Sequence, residues 1–395
     1  MFGMGLMAQE WVQVASLPGS FNQTHHSFGF SLDGMGYIVT GGSPFGVRRD
    51  FYQYDPAADE WMELPLFPGT ARSFAIGDTW NGKAYFGFGE DGNVALNDLW
   101  VFDPADMSWT ELASCPCIAR THPAFIAQDD KIYVGMGGSA NGNLKDWWEY
   151  DMATDTWSQK PDFPALPRHH PYQFGIDGFI YTGFGHGNGF ISNNWYRYDP
   201  VSENWDQMAD LPAEGRVAGT QFSYEGNGFV LSGDGDDHVS METGEFWMYS
   251  PEFDAWEELP PHPAKSRWAP ASFIIDGEVY IMNGDSYVNN TYIYQTEIYK
   301  FDLNALQVNT HELVEDKRVF NVYPNPVADK LTLSLNADEN IQNAGIRIFD
   351  IHNQLLLQLD EFSSSVDLSA LPNGFLRVEV ITDKKNYYQT IVKQQ

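Results

Sequence analysis

A pattern of four residue types at fixed spacing recurs along the chain and constrains its fold more than any other feature. Each copy has an aspartate, a tryptophan six residues later, a proline seven residues after that and an arginine four residues further on. The copies are Asp55-Trp61-Pro68-Arg72, Asp103-Trp109-Pro116-Arg120, Asp151-Trp157-Pro164-Arg168, Asp199-Trp205-Pro212-Arg216 and, with serine in place of aspartate, Ser250-Trp256-Pro263-Arg267. Counted from Trp11, the tryptophans follow one another after 50, 48, 48, 48 and 51 residues. A period near 50 residues indicates an array of one repeated supersecondary unit.

Each repeat predicts four short antiparallel strands. The second strand has an aromatic residue four positions before a glycine, the third ends in an aromatic residue that aspartate usually follows, and the fourth contains the repeat tryptophan. The aromatic–glycine pairs are Tyr37 and Gly41, Tyr85 and Gly89, Tyr133 and Gly137, Tyr181 and Gly185, Phe229 and Gly233, and Tyr280 and Gly284. Six such units predict an all-β fold, a six-bladed β-propeller, in which radial repetition leaves only short edges.

The two ends of the repeat array predict how this ring closes. Phe301 and Asp302 end the third strand of the sixth repeat, but Val308 occupies the position at which the next tryptophan is expected. The spare tryptophan strand, Trp11-Val-Gln-Val, lies near the N-terminus. We expect this N-terminal strand to complete the last blade and to cover an otherwise open edge. In the alternative, residues 307–310 form the fourth strand and Trp11 lies outside the ring.

The charge of the chain argues against two classes of partner. The formal net charge is −32 and the isoelectric point is about 4.4, so nucleic acid and anionic membrane surfaces would both be repelled. The sequence contains no run of about 18 apolar residues, so we expect no transmembrane segment. Residues 1–9 end like the tail of a secretory signal and are interpreted as the remnant of a truncated signal peptide.

The two cysteines, Cys115 and Cys117, flank the repeat proline of one copy. Two cysteines make no disulfide framework, although this close spacing also occurs in redox and metal-binding pairs. In the other copies the residue before the proline is mostly apolar and the residue after it is small. We therefore interpret both cysteines as packing residues rather than as reactive ones.

These features resemble the kelch repeat. That repeat has an arginine opening the first strand, a tyrosine followed by a glycine pair, an aromatic-Asp-Pro turn, and a tryptophan strand followed by Leu-Pro. The second glycine of the pair is present only as Gly42 and Gly138. The resemblance implies a kelch-type propeller, to which we assign residues 10–307, and residues 308–318 are interpreted as a charged linker.

Residues 319–395 follow a different pattern. Residues 331–335 and 375–380 read as strands, and together with residues 346–351 they predict a small Ig-like β-sandwich. The motifs Tyr323-Pro-Asn-Pro-Val and Asp367-Leu-Ser, and the terminal Ile-Val-Lys, are similar to the type A sorting domain of the type IX secretion system. This resemblance implies a protein of the Bacteroidetes kind that is secreted or held at the outer-membrane surface. It also implies that the secretion machinery is a partner of residues 319–395.

The sharpest candidate site lies where the first strands begin. Five arginines share one repeat position, three histidines stand two residues after that position, and Thr24 takes the arginine position in the first repeat. First strands line the axis of a propeller, and side chains two apart on a strand share a face, so one mouth would carry all eight groups. The residues are Arg72, Arg120, Arg168, Arg216, Arg267, His26, His122 and His170.

Planar guanidiniums suit carboxylates, phosphates and sulfates, so this mouth favours an anionic glycan or an acidic protein as the ligand. In the alternative, each arginine is a hallmark of the repeat and bonds the backbone between blades. Trp268 directly follows Arg267 and is expected near the same mouth, where an indole can stack on a sugar ring. We expect the repeat tryptophans to pack between blades.

Carboxylates and histidines also follow the second strands. Loop carboxylates suit a hard cation such as Ca²⁺, and Asp234, Asp236 and Glu245 are the candidate ligands, but this loop lacks glycine at its sixth position. We favour solvated turn residues as the interpretation, so neither a metal nor another cofactor is predicted. The whole group is Glu90, Asp91, His186, Asp234, Asp236, Asp237, His238 and Asp285.

The sequence contains no nucleophile elbow, zinc motif or phosphate loop. It favours a secreted binding module for an anionic glycan or a protein partner. The alternative is a sugar mutarotase of the sialic acid type, an epimerase or a lyase, with His122 or His170 as the acid-base group. Copper radical oxidases, which have a galactose oxidase-like central domain, share the fold in seven blades. They require a Cys–Tyr bond that the packing interpretation of both cysteines argues against.

Overall fold

A computed structural model of the chain describes residues 10–288, 290–306, 320–324, 327–335, 345–349, 355–359, 361–381 and 386–393. Residues 1–9 and the linker predicted at 308–318 lie outside the described residues. The chain divides into two compact units after Asn304, and each unit is described by itself. In the part of the chain that the structure describes, no helix is long and apolar enough to cross a membrane.

The first unit is built from four-stranded antiparallel sheets, six of them within the described residues 12–302. We number them 1 to 6 and give the strands of each in their order across the sheet. Sheet 1 is Phe28–Leu32, Met35–Ser43, Gly46–Asp55 and Glu60–Glu63; sheet 2 is Ile76–Trp80, Lys83–Gly87, Leu99–Asp103 and Ser108–Leu112; sheet 3 is Ala124–Gln128, Lys131–Gly135, Trp147–Asp151 and Thr156–Lys160. Sheet 4 is Tyr172–Ile176, Phe179–Gly183, Trp195–Asp199 and Asn204–Met208; sheet 5 is Thr220–Tyr224, Asn227–Leu231, Gly244–Ser250 and Ala255–His262; sheet 6 is Ala271–Ile275, Glu278–Met282, Ile298–Asp302 and Val12–Val14.

Smaller elements decorate the connections between these strands. Gly19–Asn22 is a 3-10 helix. Three connections between second and third strands form two-stranded hairpins of their own: Gly138–Ser139 with Gly142–Asn143, His186–Gly187 with Phe190–Ile191, and Asp285–Val288 with Thr291–Tyr294. All three lie at the end of the unit where second strands end and first strands begin. We call this end the loop face.

Two-residue turns join the first strand of each sheet to the second. In sheet 1, Leu32 pairs with Met35 across Asp33 and Gly34, whose φ angles are 52° and 76°. Positive φ at both central positions is the type I′ turn, whose twist matches that of the flanking strands. The same positive pair recurs at Asn81 and Gly82, Asp129 and Asp130, Asp177 and Gly178, Glu225 and Gly226, and Asp276 and Gly277.

Backbone hydrogen bonds connect each sheet to the next. The glycine that ends a second strand donates its N–H to the carbonyl at the arginine position of the following sheet, as from Gly41 to Arg72 at 2.9 Å. Gly284 of sheet 6 donates to Thr24, at the start of sheet 1, also at 2.9 Å. The first strands contact one another all the way round, sheet 6 with sheet 1 included. The sheets therefore close into a ring, as a β-propeller requires.

The N-terminal strand completes sheet 6, as the sequence predicted. Val12–Val14 pairs antiparallel with Ile298–Asp302 through Val12 and Lys300, and through Val14 and Ile298. The place of the fourth strand is thereby filled. The alternative strand at residues 307–310 falls outside the described residues.

The repeat tryptophans bridge neighbouring sheets, as expected. Trp157 donates its indole N–H to the carbonyl of Ala113, at the end of the fourth strand of the preceding sheet, over 2.7 Å. Asp155 accepts the N–H of Ala113 and the hydroxyl hydrogen of Tyr150. The other indole–carbonyl bonds run from Trp11 to Pro260, Trp61 to Ala15, Trp205 to Pro161 and Trp256 to Ala209.

Apolar side chains fill the spaces between the sheets. In the first strand of sheet 1, Phe28, Phe30 and Leu32 are buried and alternate with less buried residues, the period of a strand that packs on one face. Cys115 and Cys117 are both buried in one apolar cluster, which agrees with the packing interpretation. The structure also joins them by a disulfide, which that interpretation did not include.

The second unit is a small antiparallel β-sandwich. One sheet contains Phe320–Tyr323, Lys330–Leu335 and Ser365–Asp367; the other contains Leu355–Leu359, Gly345–Phe349, Gly374–Ile381 and Asn386–Lys393. Both sheets contribute to one buried cluster that includes Leu331, Leu333, Ile346 and Val378. This core is composed of second-unit residues alone, which agrees with the predicted sandwich.

Candidate functional site

The five repeat arginines are buried rather than presented to solvent. Each is at most 1% exposed. Arg72 makes two parallel bonds to the Asp98 carboxylate, both 2.6 Å long, and Arg120 makes two to Asp146, both 2.8 Å long. Arg216 contacts Glu245 at 2.8 Å. These partners stand at or just before the start of the third strand of the same sheet.

Four of the five guanidiniums also bond the backbone around them, whereas Nε and Nη1 of Arg216 have no hydrogen-bond partner among the described residues. Arg120 donates from Nε to the carbonyl of Ile118 at 2.9 Å and from Nη1 to the carbonyl of Met136 at 2.9 Å. Arg168 bonds Leu166, Phe184 and the amide oxygen of Asn194 in the same way. Arg168 has no carboxylate partner, and burial lowers its pKa to about 10, with a smaller opposing effect from Tyr196.

This geometry argues against the anion-binding ring inferred from the sequence. A guanidinium whose N–H groups already donate to a carboxylate and to carbonyl groups of its own sheet is not available to an external anion. For Arg72, Arg120, Arg168 and Arg267 these contacts favour the alternative, in which each arginine ties strands together as a hallmark of the repeat. Arg216 is buried and contacts Glu245, but its other guanidinium nitrogens are not used in this way. Arg267 follows the pattern with backbone carbonyls alone, those of Asn283 and Glu297.

The histidines two residues further on belong to a different environment. The six side chains at this position are His26, Phe74, His122, His170, Ala218 and Ala269, and we call them the axial ring. All six residues have positive φ, between 50° and 62°, a conformation that costs a non-glycine residue energy. Backbone bonds hold it, such as those from His26 to Ala269 and from His170 to His122.

Three imidazoles of the axial ring meet at its centre. Nitrogens of His26, His122 and His170 all lie within 4.8 Å of one another. Nε2 of His26 is 2.8 Å from Nε2 of His170, and the rings of His122 and His170 are 3.4 Å apart. Phe74 packs against His26 and His122 at 4.4 and 4.3 Å. The structure therefore brings together the three histidines that the sequence selected.

These imidazoles are held in their neutral form. Burial lowers the pKa of His26, His122 and His170 well below the ordinary value of a histidine, and neighbouring histidines lower it further. Neither ring nitrogen of His122 has a hydrogen-bond partner among the described residues, and Nδ1 of His170 also lacks one. A neutral imidazole has one N–H donor and one lone-pair nitrogen, so His122 can offer one nitrogen to a proton, a hydrogen-bond donor or a metal ion.

An outer ring surrounds the axial ring on the loop face. It consists of the residues one position after the arginine, each joined by a β-bridge to the residue that follows the glycine of the second strand. The bridged pairs are His25 with Gly42, Ser73 with Glu90, Thr121 with Gly138, His169 with His186, Val217 with Asp234, and Trp268 with Asp285. The polar residues that follow the second strands thus adjoin the histidines instead of forming a separate site.

Trp268 lies where the sequence predicted it, at the mouth. Its ring is 4.4 Å from that of His26 and 5.3 Å from that of His25, and its indole N–H is buried without a partner among the described residues. Burial, and then the Asp234 carboxylate, raises the pKa of Asp285 to about 7. The same carboxylate lies 3.3 Å from His238 and raises its pKa.

A channel approaches the axial ring between the first strands. Its wall includes His26, His122 and His170, together with Ala218 and Ala269 at the two small positions of the ring, and its cavity volume is about 120 Å³. This volume is below the roughly 300 Å³ at which typical small-molecule pockets begin. The sequence predicted a mouth lined by the first strands, but not the size of this channel, which depends on how closely the first strands approach one another.

The calcium candidates do not share one site. Glu245 accepts hydrogen bonds from Arg216 and from the indole of Trp247. Asp234 is buried beside His238, whereas Asp236 is exposed. Among the described residues, the group of three metal-ligand side chains that does converge is His26, His122 and His170, which was not proposed as a metal site from the sequence.

Sequence reasoning also missed His25 and His169, which stand at the mouth. Nδ1 of His25 is 2.6 Å from Nδ1 of His26, and Nδ1 of His169 is 2.8 Å from the amide oxygen of Asn143. Two adjacent-histidine pairs, His25-His26 and His169-His170, were the available signal. Burial lowers the pKa of both His25 and His169 to about 4.

Comparison with known families agrees with both units. Residues 8–173 match the KLHDC2/KLHL20/DRC7 Kelch-repeats domain, and residues 321–394 match the secretion system C-terminal sorting domain. No curated protein matches the chain. The chain is therefore a kelch-repeat β-propeller protein with a C-terminal sorting domain, and it is exported through the type IX secretion system to the cell surface or beyond.

Proposed function

We propose that this exported kelch protein is a binding module whose loop face recognises a protein partner. The observation that carries the proposal is a set of exposed apolar side chains on connections of the loop face. Phe45 is the most exposed of them, at 76%. The set is Phe45, Leu66, Val94, Ile118, Leu166, Tyr292 and Ile293.

Exposed apolar and aromatic side chains on one face are typical of protein interfaces, whose central residues are depleted in charge. Their burial supplies binding energy, and large aromatic anchors often dominate it. The internal pairing of the arginines removes the main reason to favour an anionic glycan. A protein partner is therefore better supported than the anionic glycan that the sequence placed beside it.

Site-specific photo-crosslinking in the producing bacterium tests this proposal. A photoreactive amino acid replaces Phe45 or Tyr292 on the loop face, and Val201 serves as the control. Val201 is 96% exposed and lies in a turn between third and fourth strands, at the opposite face. We expect Phe45 and Tyr292 to crosslink to the same protein, and Val201 not to do so.

Binding of the purified partner then gives the affinity. Phe45→Ser combined with Leu166→Ser should weaken binding by about tenfold or more, which corresponds to the loss of one or two apolar anchors. Val201→Ser should leave the affinity unchanged. A crosslink from Val201 alone, or capture of a glycan in place of a protein at Phe45, would contradict the proposal.

The second candidate function is a carbohydrate-active enzyme that uses the channel. The unpartnered ring nitrogens of His122 and His170 at the channel wall favour it. The buried arginines give it no cation for an acidic sugar, so its substrate would be a neutral one. Anomer exchange of neutral sugars, followed by NMR with the His122→Ala/His170→Ala variant as control, tests it.

A further inference from the structure

The axial histidines occupy equivalent repeat positions and form a cluster at the centre of the ring. His26, His122 and His170 come from sheets 1, 3 and 4, and each occupies the same repeat position with the same positive φ. Their nitrogens lie within 4.8 Å of one another. Three imidazoles from separate sheets meet at this point only because the ring is closed, so the cluster exists only in the folded propeller.

The protein itself does not satisfy these side chains. A hydrogen bond joins Nε2 of His26 to Nε2 of His170, but His122 takes no part in it, and both of its nitrogens lack a partner among the described residues. A buried polar atom without a partner costs free energy. A metal ion accepts one lone pair from each ring, so it would give one nitrogen of His122 a partner, whereas a single hydrogen-bond donor could not serve all three rings.

We propose that His26, His122 and His170 together bind one divalent transition-metal ion of the zinc class on the axis of the propeller. Neutral imidazole nitrogens are ligands for zinc, copper, nickel and cobalt ions, whereas calcium and magnesium prefer oxygen. Two nitrogens that bind one tetrahedral zinc ion stand about 3.3 Å apart, given bonds of about 2.0–2.1 Å. The observed cluster needs only small side-chain adjustments to reach that spacing.

Neighbouring residues support the same assignment. Nδ1 of His25 lies 2.6 Å from Nδ1 of His26, and a hydrogen bond there directs Nε2 of His26 toward the other two rings. Such a partner for the second nitrogen is typical of metal-binding histidines. Ala218 and Ala269 leave the ring open on the channel side, so a fourth ligand can approach from the channel. Three histidines with one open position are typical of zinc sites that also bind a small molecule.

Zinc titration of the full-length, untagged protein tests this inference. After treatment with EDTA and dialysis, we expect isothermal titration calorimetry to show one equivalent of Zn²⁺ bound per chain, and elemental analysis to recover the same stoichiometry. Cobalt(II) should give the visible absorption of a low-symmetry, four-coordinate ion. These measurements do not depend on the protein partner proposed above, so either proposal can fail while the other stands.

Variants separate the axial site from other histidines. His122→Ala/His170→Ala should weaken Zn²⁺ binding at least 100-fold, and it should fold because Ala218 and Ala269 occupy the same position with the same backbone conformation. His238→Ala removes a mouth histidine outside the cluster and should keep one equivalent. The inference is overturned if the wild-type protein binds no zinc, if the double variant retains its affinity, or if His238→Ala abolishes binding.

Discussion

The backbone N–H of Gly284 donates a hydrogen bond to the carbonyl oxygen of Thr24 at 2.9 Å, one of the bonds that join the last sheet to the first. Equivalent glycines make the same bond at the other junctions, from Gly41 to Arg72 and from Gly233 to Arg267 among them. Closure therefore uses the same interaction as every internal junction. The junction between sheets 6 and 1 differs in that the fourth strand of sheet 6 comes from the N-terminal part of the chain.

Trp11 should be the main anchor of that N-terminal strand. Its indole N–H bonds the carbonyl of Pro260, and its ring packs 5.1 Å from that of Phe301. We expect Trp11→Ala to lower the free energy of unfolding by about 2–3 kcal/mol, because an aromatic contact and a hydrogen bond are lost together. Urea unfolding followed by far-UV circular dichroism measures this change.

Val12 provides the matched control on the same strand. Its side chain is 52% exposed, so Val12→Ala should change the stability by less than about 0.5 kcal/mol. Equal effects of the two substitutions would mean that the N-terminal strand does not depend on Trp11 for its anchoring.

The buried arginines should contribute to stability. Arg120 is fully buried and pairs with Asp146, whose side chain is 21% exposed. Arg120→Met removes the cation and leaves a largely buried carboxylate without its partner, so we expect a loss of about 3 kcal/mol. Lys145 and Asp162 form an exposed pair at 3.7 Å, and Lys145→Met should have little effect.

Thermal unfolding of both variants, beside the wild-type protein, measures the difference. The stability of Arg120→Met also tests whether this arginine belongs to the ligand-binding site. If Arg120→Met left the stability unchanged but abolished partner binding, the arginine would belong to the binding site after all, against the buried geometry described here.

The arginine position shows what the sequence could and could not reveal. Spacing correctly placed Arg72 and Arg120 at one repeat position. The acidic partners, Asp98 and Asp146, each stand 26 residues after their arginine, so the pairing was also present as a repeat. It was overlooked because a shared position indicates a shared location but does not show which way a side chain faces or what neutralises it.

The histidines show the opposite case. Their position two residues after the arginine correctly predicted that His26, His122 and His170 would meet near the axis. Their closeness, and the unpartnered nitrogens of His122, follow from the narrow ring and from positive φ at that position. Backbone geometry of this kind leaves no direct mark in the sequence, so a metal site was not predicted.

The C-terminal unit should unfold in a transition separate from that of the propeller. Leu331 is fully buried in a cluster made of second-unit residues, whereas Leu355 is 46% exposed. Leu331→Asp places a charge in that core and should destabilise the unit by more than about 3 kcal/mol, enough to unfold a small sandwich. Differential scanning calorimetry should show the transition of the propeller unchanged.

Export gives a second readout of the same substitution. We expect recognition by the secretion machinery to require the folded sorting domain, so in the producing bacterium Leu331→Asp should reduce the amount of protein at the cell surface. Leu355→Asp should be exported normally. Normal export of the Leu331 variant would show that recognition uses only a linear segment of the sorting domain.

His262 should make the propeller sensitive to acid. Burial, and then the charge of Arg267, lowers its pKa to about 3. Nε2 of His262 is 2.9 Å from the Ser232 hydroxyl, and Nδ1 is 2.9 Å from the carbonyl of Pro263. The unfolded chain takes up this proton near pH 6.5, whereas the folded protein resists it. The stability that His262 contributes is therefore complete above about pH 6.5 and declines as the pH falls toward 3.

His262→Phe isolates this effect, because Phe67 and Phe163 occupy the equivalent position in other repeats. Between pH 6.5 and pH 5 the wild-type protein should lose about 2 kcal/mol more than the variant, at about 1.4 kcal/mol per pH unit for one proton. Urea unfolding at several pH values measures the two slopes. His238→Asn is the control of opposite sign, because the Asp234 carboxylate raises the pKa of His238. The stability that His238 contributes is complete below about pH 6.5 and is lost as the pH rises, so this variant should leave the slope between pH 6.5 and pH 5 nearly unchanged. Identical slopes for the wild-type protein and His262→Phe would show that His262 is protonated in the folded state.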